Sequence, residues 1–169
     1  MSKAFTRESD DDVPELPRLR PASASLPPGV PNYLTADGAE SLRRMLDDAI
    51  QNDRPSLQAA IRSGADKEPL QQLDQKIRLW TEILEGASVV ATTPDPESRA
   101  RFGSTITVRD PSGEEETYRI VGVDETDVDR GWISWISPLA KALVHTREGQ
   151  TVHLQLPGGR RELTIVKIV

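Results

Sequence analysis

The sequence contains no cysteine. That excludes a disulfide scaffold, a thiolate zinc site and a cysteine nucleophile, and such a chain is at ease in a reducing cytosol. Aromatic residues are scarce, with three Trp, two Tyr and two Phe among 169 residues. The core must therefore be mainly aliphatic, and each exposed aromatic becomes a candidate contact. No apolar run approaches the roughly 18 residues that a membrane span needs. Met1-Ser2-Lys3-Ala4-Phe5 followed by Asp10-Asp11-Asp12 lacks the apolar stretch of a signal peptide, so a cytoplasmic chain with no membrane partner is expected. Positive charge is in deficit, 21 Lys and Arg against 27 Asp and Glu for a net −6. Bulk binding to DNA phosphates needs a basic face and is disfavoured.

Catalytic constellations are also missing. The two histidines, His145 and His153, have no patterned carboxylate between them. His145, near a predicted helix end, reads better as dipole-paired than as a metal ligand, and no metal site is assigned. Gly158-Gly159-Arg160-Arg161 lacks P-loop spacing. The acidic run Asp124-Glu125-Thr126-Asp127-Val128-Asp129 lacks the glycine and terminal glutamate of a calcium loop and reads as a solvated loop.

What is present falls into four stretches. Residues 1–31 hold six of the 13 prolines, with four basic against five acidic residues, and predict a disordered tail, either a solvated leader or a docking arm. Residues 32–90 predict a helical hairpin. Thr35 suits an N-cap, and Ala39, Leu42, Met45, Leu46, Ala49 and Ile50 recur at helical spacing. Asn52-Asp53-Arg54-Pro55 predicts a kink rather than a stop, after which Leu57, Ala60, Ile61 and Gly64 continue the stripe. Gly64-Ala65-Asp66-Lys67-Glu68-Pro69 is a turn, followed by Leu70, Leu73, Ile77, Trp80 and Leu84 as an a/d seam. Residues 91–103 read as a linker.

From 104 to 169 the period drops to two. Strands are predicted at 105–109, 118–121, 132–135, 151–156 and 163–168, with Asp110-Pro111-Ser112-Gly113 as a hairpin turn. Ser137 caps a short helix opening at Pro138. Trp132 and Trp135 are placed on one strand face, either toward the core or exposed as partner anchors. The fold class is α+β, an antiparallel helical hairpin (coiled coil) followed by an antiparallel sheet with one helix.

Several segments resemble one bacterial family in register. Phe102–Val108, Tyr118–Glu125, Ile133–Leu143 and Pro157-Gly158-Gly159 with Glu162 look like the C-terminal domain of the GreA/GreB transcript-cleavage factors. Leu34-Thr35, Gly38-Ala39-Glu40, Leu42-Arg43 and Asp53-Arg54-Pro55 are similar to the family's first helix, and Met1–Thr6 resembles its GreB branch. The resemblance implies an FKBP-like C-terminal domain docking on RNA polymerase at the rim of the secondary channel, with the hairpin inserted into that channel. Tip carboxylates would help hold a second Mg²⁺ of the polymerase active site for two-metal RNA cleavage. The factor would be an accessory protein and no enzyme itself, monomeric, with no cofactor of its own and only indirect proximity to nascent RNA. Ser137, Pro138, Trp135 and Asp124 would belong to the docking surface.

At the tip the sequence departs from the family's Gly-Asp-x-x-Glu-Asn. Asp66 and Glu68 are the candidate carboxylates, spaced by two, and proline replaces asparagine. Relative to the family pattern the hairpin is about 13 residues shorter, which withdraws the tip by roughly 10 Å at 1.5 Å per residue. Mg²⁺ coordination needs an oxygen within about 2.1 Å. The resulting expectation is a factor that occupies the secondary channel and modulates elongation without efficient cleavage. One alternative is an active GreB-type factor using Asp66 and Glu68. Another, of a different class, is an FKBP-like peptidyl-prolyl isomerase, poorly supported because fold does not carry activity and few aromatics exist to line a pocket.

Overall fold

Thr35 starts the first helix. Its backbone is extended and its side chain accepts from the Gly38 amide, satisfying one of the donors that a helix start leaves unpaired. The computed structural model describes residues 19–91, 97–156 and 159–169, the side chain of Leu156 excepted. Helix α1 runs Ala36–Asp48 and leads into a wide π-type turn, Ala49–Asp53, before helix α2, Arg54–Arg62. Pro55 explains the wide turn. It has no N–H to give, and its ring crowds the carbonyl four residues back. The chain opens by one residue, so that the Arg54 amide bonds to the Ala49 carbonyl, and it bends without breaking. At the slip the apolar stripe breaks, with Ala49 buried and Ile50 47% exposed; Met45, in the regular helix before it, is 47% exposed as well.

Gly64, with φ +97°, takes the left-handed conformation that ends α2. Helix α3, Glu68–Gly86, carries Pro69 in its first turn and runs back along α2 and α1. Arg54 meets Asp74 at 2.7 Å, and the Leu34, Ala39 and Ile83 cluster packs with Leu42, Leu79 and Leu84. The seam residues Leu70, Leu73, Ile77, Trp80 and Leu84 are only half-buried.

Two short strands, β1 (Tyr33–Thr35) and β2 (Ser88–Val90), pair in parallel at the base of these helices. Three-residue strands flanked by helices leave too little alternation to read, and the sequence pattern does not anticipate them. Five further strands, β3 (Thr105–Arg109), β4 (Glu115–Val121), β5 (Trp132–Ser134), β6 (Thr151–Leu156) and β7 (Gly159–Ile168), form a sheet in the order β5-β4-β3-β7-β6. The architecture is mixed α+β. The expectation of an antiparallel sheet is corrected at one edge, where β5 pairs in parallel with β4. Between them the chain makes a tight reversal bridging Asp127 and Trp132, with Gly131 at φ +70°. A side chain at Gly131 would lie 2.3 Å from the Thr117 carbonyl oxygen. That extra reversal sends β5 along β4 rather than against it.

Helix α4, Pro138–Leu143, covers one sheet face. The core joins Ile106, Val108, Ile120, Leu154, Leu163 and Ile165 to Ala140 and Leu143 of α4. Ala100 is also fully buried there, and its backbone bonds to Thr146 and His145. The latter part of the stretch expected as a linker is thus core, while residues 92–96 lie outside the described residues. Of the expected N-terminal tail, residues 1–18 lie outside the description. In the described part Pro21 is buried and Ala22–Ser25 form a 3₁₀ turn.

Candidate functional site

At the far end of the arm, Asp66 Oδ1 accepts from the Glu68 amide at 3.0 Å. Asp66 thereby holds one of the unpaired donors at the start of α3, a local bond typical of aspartate in turns. Glu68 Oε1 accepts from Gln72 Nε2 at 3.0 Å, one helical turn on. Both residues are exposed. The tip therefore shows two carboxylates to solvent, each with one oxygen held by a donor of α3.

Ser137 and Pro138 sit on the globular part, at the start of α4. Ser137 Oγ accepts from the Ala140 amide at 3.1 Å, and Pro138 is exposed in the first turn of α4. The two tryptophans do not share a face, a correction to the sequence reading. Side chains two apart share a strand face, and these are three apart, with the strand ending at Ser134. Trp135 packs with the sheet core, its ring centroid 5.2 Å from that of Tyr33. Trp132 lies on the other side between two guanidiniums, Arg119 at 5.4 Å and Arg130 at 5.2 Å from its ring, a cation–π arrangement.

The acidic run is the other correction. Val128 is 88% exposed, as a solvated loop requires, yet Asp124 and Glu125 are half-buried and hydrogen-bonded to distant backbone and side-chain donors. Asp124 accepts from the Ser23 amide at 3.0 Å and from Asn32 Nδ2 at 2.9 Å. Glu125 accepts from the Thr35 amide at 2.9 Å, from the Thr35 hydroxyl, and from the Gly122 amide at 3.0 Å. Thr35 itself is 1% exposed. Charge-assisted bonds of this kind are the strong ones, and no local pattern reports them because the partners lie 90 residues apart. The usable signal was the coincidence of an N-cap threonine with an acidic run of no other evident purpose.

Trp135 and Asp124 therefore border the junction between arm and sheet, Ser137 and Pro138 follow directly in the chain, and Asp66 and Glu68 stand a helix length away. His153 Nδ1 lies 3.5 Å from Glu162 on the exposed sheet face, and His145 adopts φ +67° just past α4. Among the described residues no group of three or more His, Asp or Glu could hold a metal ion, and no helix is long and apolar enough to cross a membrane.

Comparison with known proteins gives this geometry its context. The family model described as transcription elongation factor, GreA/GreB, C-term matches residues 95–169, a stretch that takes in Ala100 and Phe102. The transcription elongation factor GreB of Neisseria meningitidis serogroup B is 35% identical over 155 residues, covering 81% of this chain and 93% of its own. The transcription elongation factor GreA of Hyphomonas neptunium is 35% identical over 150 residues, covering 80% and 96%. Among solved structures, that of the GreA factor homolog 1 protein of Thermus thermophilus aligns with a TM-score of 0.40 at 25% identity, over 83% of this chain and 99% of its own. The chain belongs to the GreA/GreB family of transcription elongation factors.

Proposed function

We propose that this protein docks on RNA polymerase through its globular part, around Ser137 and Pro138, and extends the two-helix arm into the secondary channel. There it modulates elongation without supporting efficient transcript cleavage. The observation that carries the reading is the tip. Asp66 and Glu68 are two residues apart, and Asp66 is engaged in holding the start of α3. Asp66 lies in the turn before α3, which opens at Glu68, so the two carboxylates are not carried by one helix. An arm shortened by roughly 10 Å relative to the family pattern keeps both carboxylates out of coordination range of a Mg²⁺ in the polymerase. The chemistry of RNA cleavage, and the Mg²⁺ it uses, belongs to the polymerase; this chain contributes occupancy of the channel.

The test is a backtracked elongation complex with an active cleavage factor, into which this protein is titrated while RNA shortening is followed on a gel. Dose-dependent suppression is the expected result. Unchanged cleavage at concentrations well above the competitor's overturns the shared docking site. Accelerated shortening that disappears when Asp66 and Glu68 are both replaced by Ala would instead establish a cleavage-competent factor.

A further inference from the structure

The arm and the globular part meet at one carboxylate. Glu125, in the loop after β4, receives the backbone amide and hydroxyl of Thr35 together with the amide of Gly122. The same Thr35 hydroxyl accepts from the Gly38 amide at 3.0 Å. A continuous chain of hydrogen bonds thus runs from the first turn of α1, through the cap residue, into the globular part. A carboxylate at this end of a helix is also favoured by the helix dipole.

Two glycines permit the approach. A side chain at Gly38 would place its first carbon 1.8 Å from Glu125 Oε1, and one at Gly122 would lie 1.9 Å from the Tyr33 carbonyl oxygen. Both contacts are far inside van der Waals range. Neighbouring contacts close the same seam: Asn32 to Asp124, Arg119 to Asp37 at 2.7 Å, and the Tyr33 ring against Trp135 and Phe102. The Arg119 to Asp37 pair is largely exposed on the aspartate side and contributes little. Glu125 is the member bonded to both halves at once.

We infer that Glu125 is a positioning residue: it sets the direction in which the arm leaves the globular part, and so where Asp66 and Glu68 are delivered. Helix α3 has 19 residues and is about 28 Å long at 1.5 Å per residue. A tilt of about 10° at its base therefore moves the tip by roughly 5 Å on that length. The functional consequence rests on the polymerase reading above, whereas the geometry does not and is tested separately.

The lack of native cysteine makes the test clean. Arg62→Cys on the arm and Glu114→Cys on the β3–β4 turn, both exposed positions, are labelled with nitroxides in the full chain, and their distance distribution is measured by pulsed electron resonance. A single narrow distribution is expected for this parent. Glu125→Ala should broaden it and shift its mean by roughly 5 Å on the lever estimate. Glu125→Gln, which keeps the shape and one acceptor oxygen, should fall between. Gly38→Ala should broaden it too, but less in a Glu125→Ala background, because the 1.8 Å contact is gone and only the 2.9 Å approach to Thr35 Oγ1 remains; such non-additivity identifies direct contact.

Distributions unchanged in both Glu125 variants overturn the inference, as does a Gly38→Ala effect of equal size in both backgrounds. Should Glu125→Ala not fold, as judged by circular dichroism, Glu125→Gln and Gly38→Ala decide alone. In the cleavage competition, Glu125→Ala should bind polymerase more weakly and require roughly tenfold more protein for suppression in step, a coupling of ordinary size. Absence of polymerase binding by the parent would remove the proposed function and leave the distance result standing.

Discussion

The two halves of this molecule are stabilised in different ways. The sheet part has an apolar core in which Ile106, Val108, Ile120, Ala140 and Leu143 are fully buried. The arm has only a small buried cluster at its base, Leu34, Ala39 and Ile83, and α2 buries no residue at all. Its shape comes from helix geometry, from a half-buried seam, and from how its base is held. The comparison teaches that rigidity and burial are separable. A thin helical arm can be well aimed while contributing little to global stability, provided that its root is fixed to something with a core.

The sharpest way to break this contrast is in the core itself. Leu143→Ala removes a fully buried side chain and should cost about 2–5 kcal/mol, read as a lower urea midpoint for the whole chain. An equal loss from an arm substitution would refute the asymmetry. Thr35→Ala acts at the root and should cost about 1–2 kcal/mol through the lost cap, and hydrogen exchange should quicken in α1 first. Further out, Ile77→Ala touches a half-buried seam position and should cost about 1 kcal/mol, with faster exchange confined to α2 and α3.

The smallest effect lies on the β3–β4 turn and sharpens the comparison through pH. The Ser112 hydroxyl, together with the amides of Ser112 and Glu114, holds the Asp110 carboxyl below its usual range. A carboxyl whose folded value is depressed favours the folded chain above the ordinary aspartate value of about 3.9. That advantage fades as pH falls through the lower folded value, since the unfolded chain takes up its proton first. The stability difference between the parent and Asp110→Asn should therefore be full at neutral pH and narrow below about pH 4. A difference constant across that range would show that the carboxylate charge is not what the turn uses.

Sequence pattern captured what is local. The cap at Thr35, the stop at Gly64, the strand at 105–109, the Asp110–Gly113 turn and the Ser137 cap stand where periodicity and turn chemistry place them. The kink at Pro55 was legible, but its form was not, because a π-type turn depends on how neighbouring carbonyls relax around the ring. What pattern missed is long-range. The parallel pairings β1–β2 and β4–β5, the burial of Ala100, and the partners of Asp124 and Glu125 all join residues whose meeting no local spacing encodes. An acidic run reads as solvated unless the backbone donors that meet it are known. The tip is an intermediate case, for residue identity marked Asp66 and Glu68 while the bond that occupies Asp66 required coordinates.

The wide turn at Ala49–Asp53 has a consequence for how such an arm can change length over evolution. Inserting one residue into a regular helix rotates everything beyond it by about 100°, which would ruin a seam packed against a second helix. A π-type turn is an insertion of this kind already absorbed. It works as a phase adjuster, with Ile50 rolled out to solvent on one side and Leu57 returned toward the seam on the other. An arm with such an element need not lose residues in whole heptads to stay paired. It can be trimmed by odd numbers, with the turn taking up the difference, and still bring its far end round to the same side.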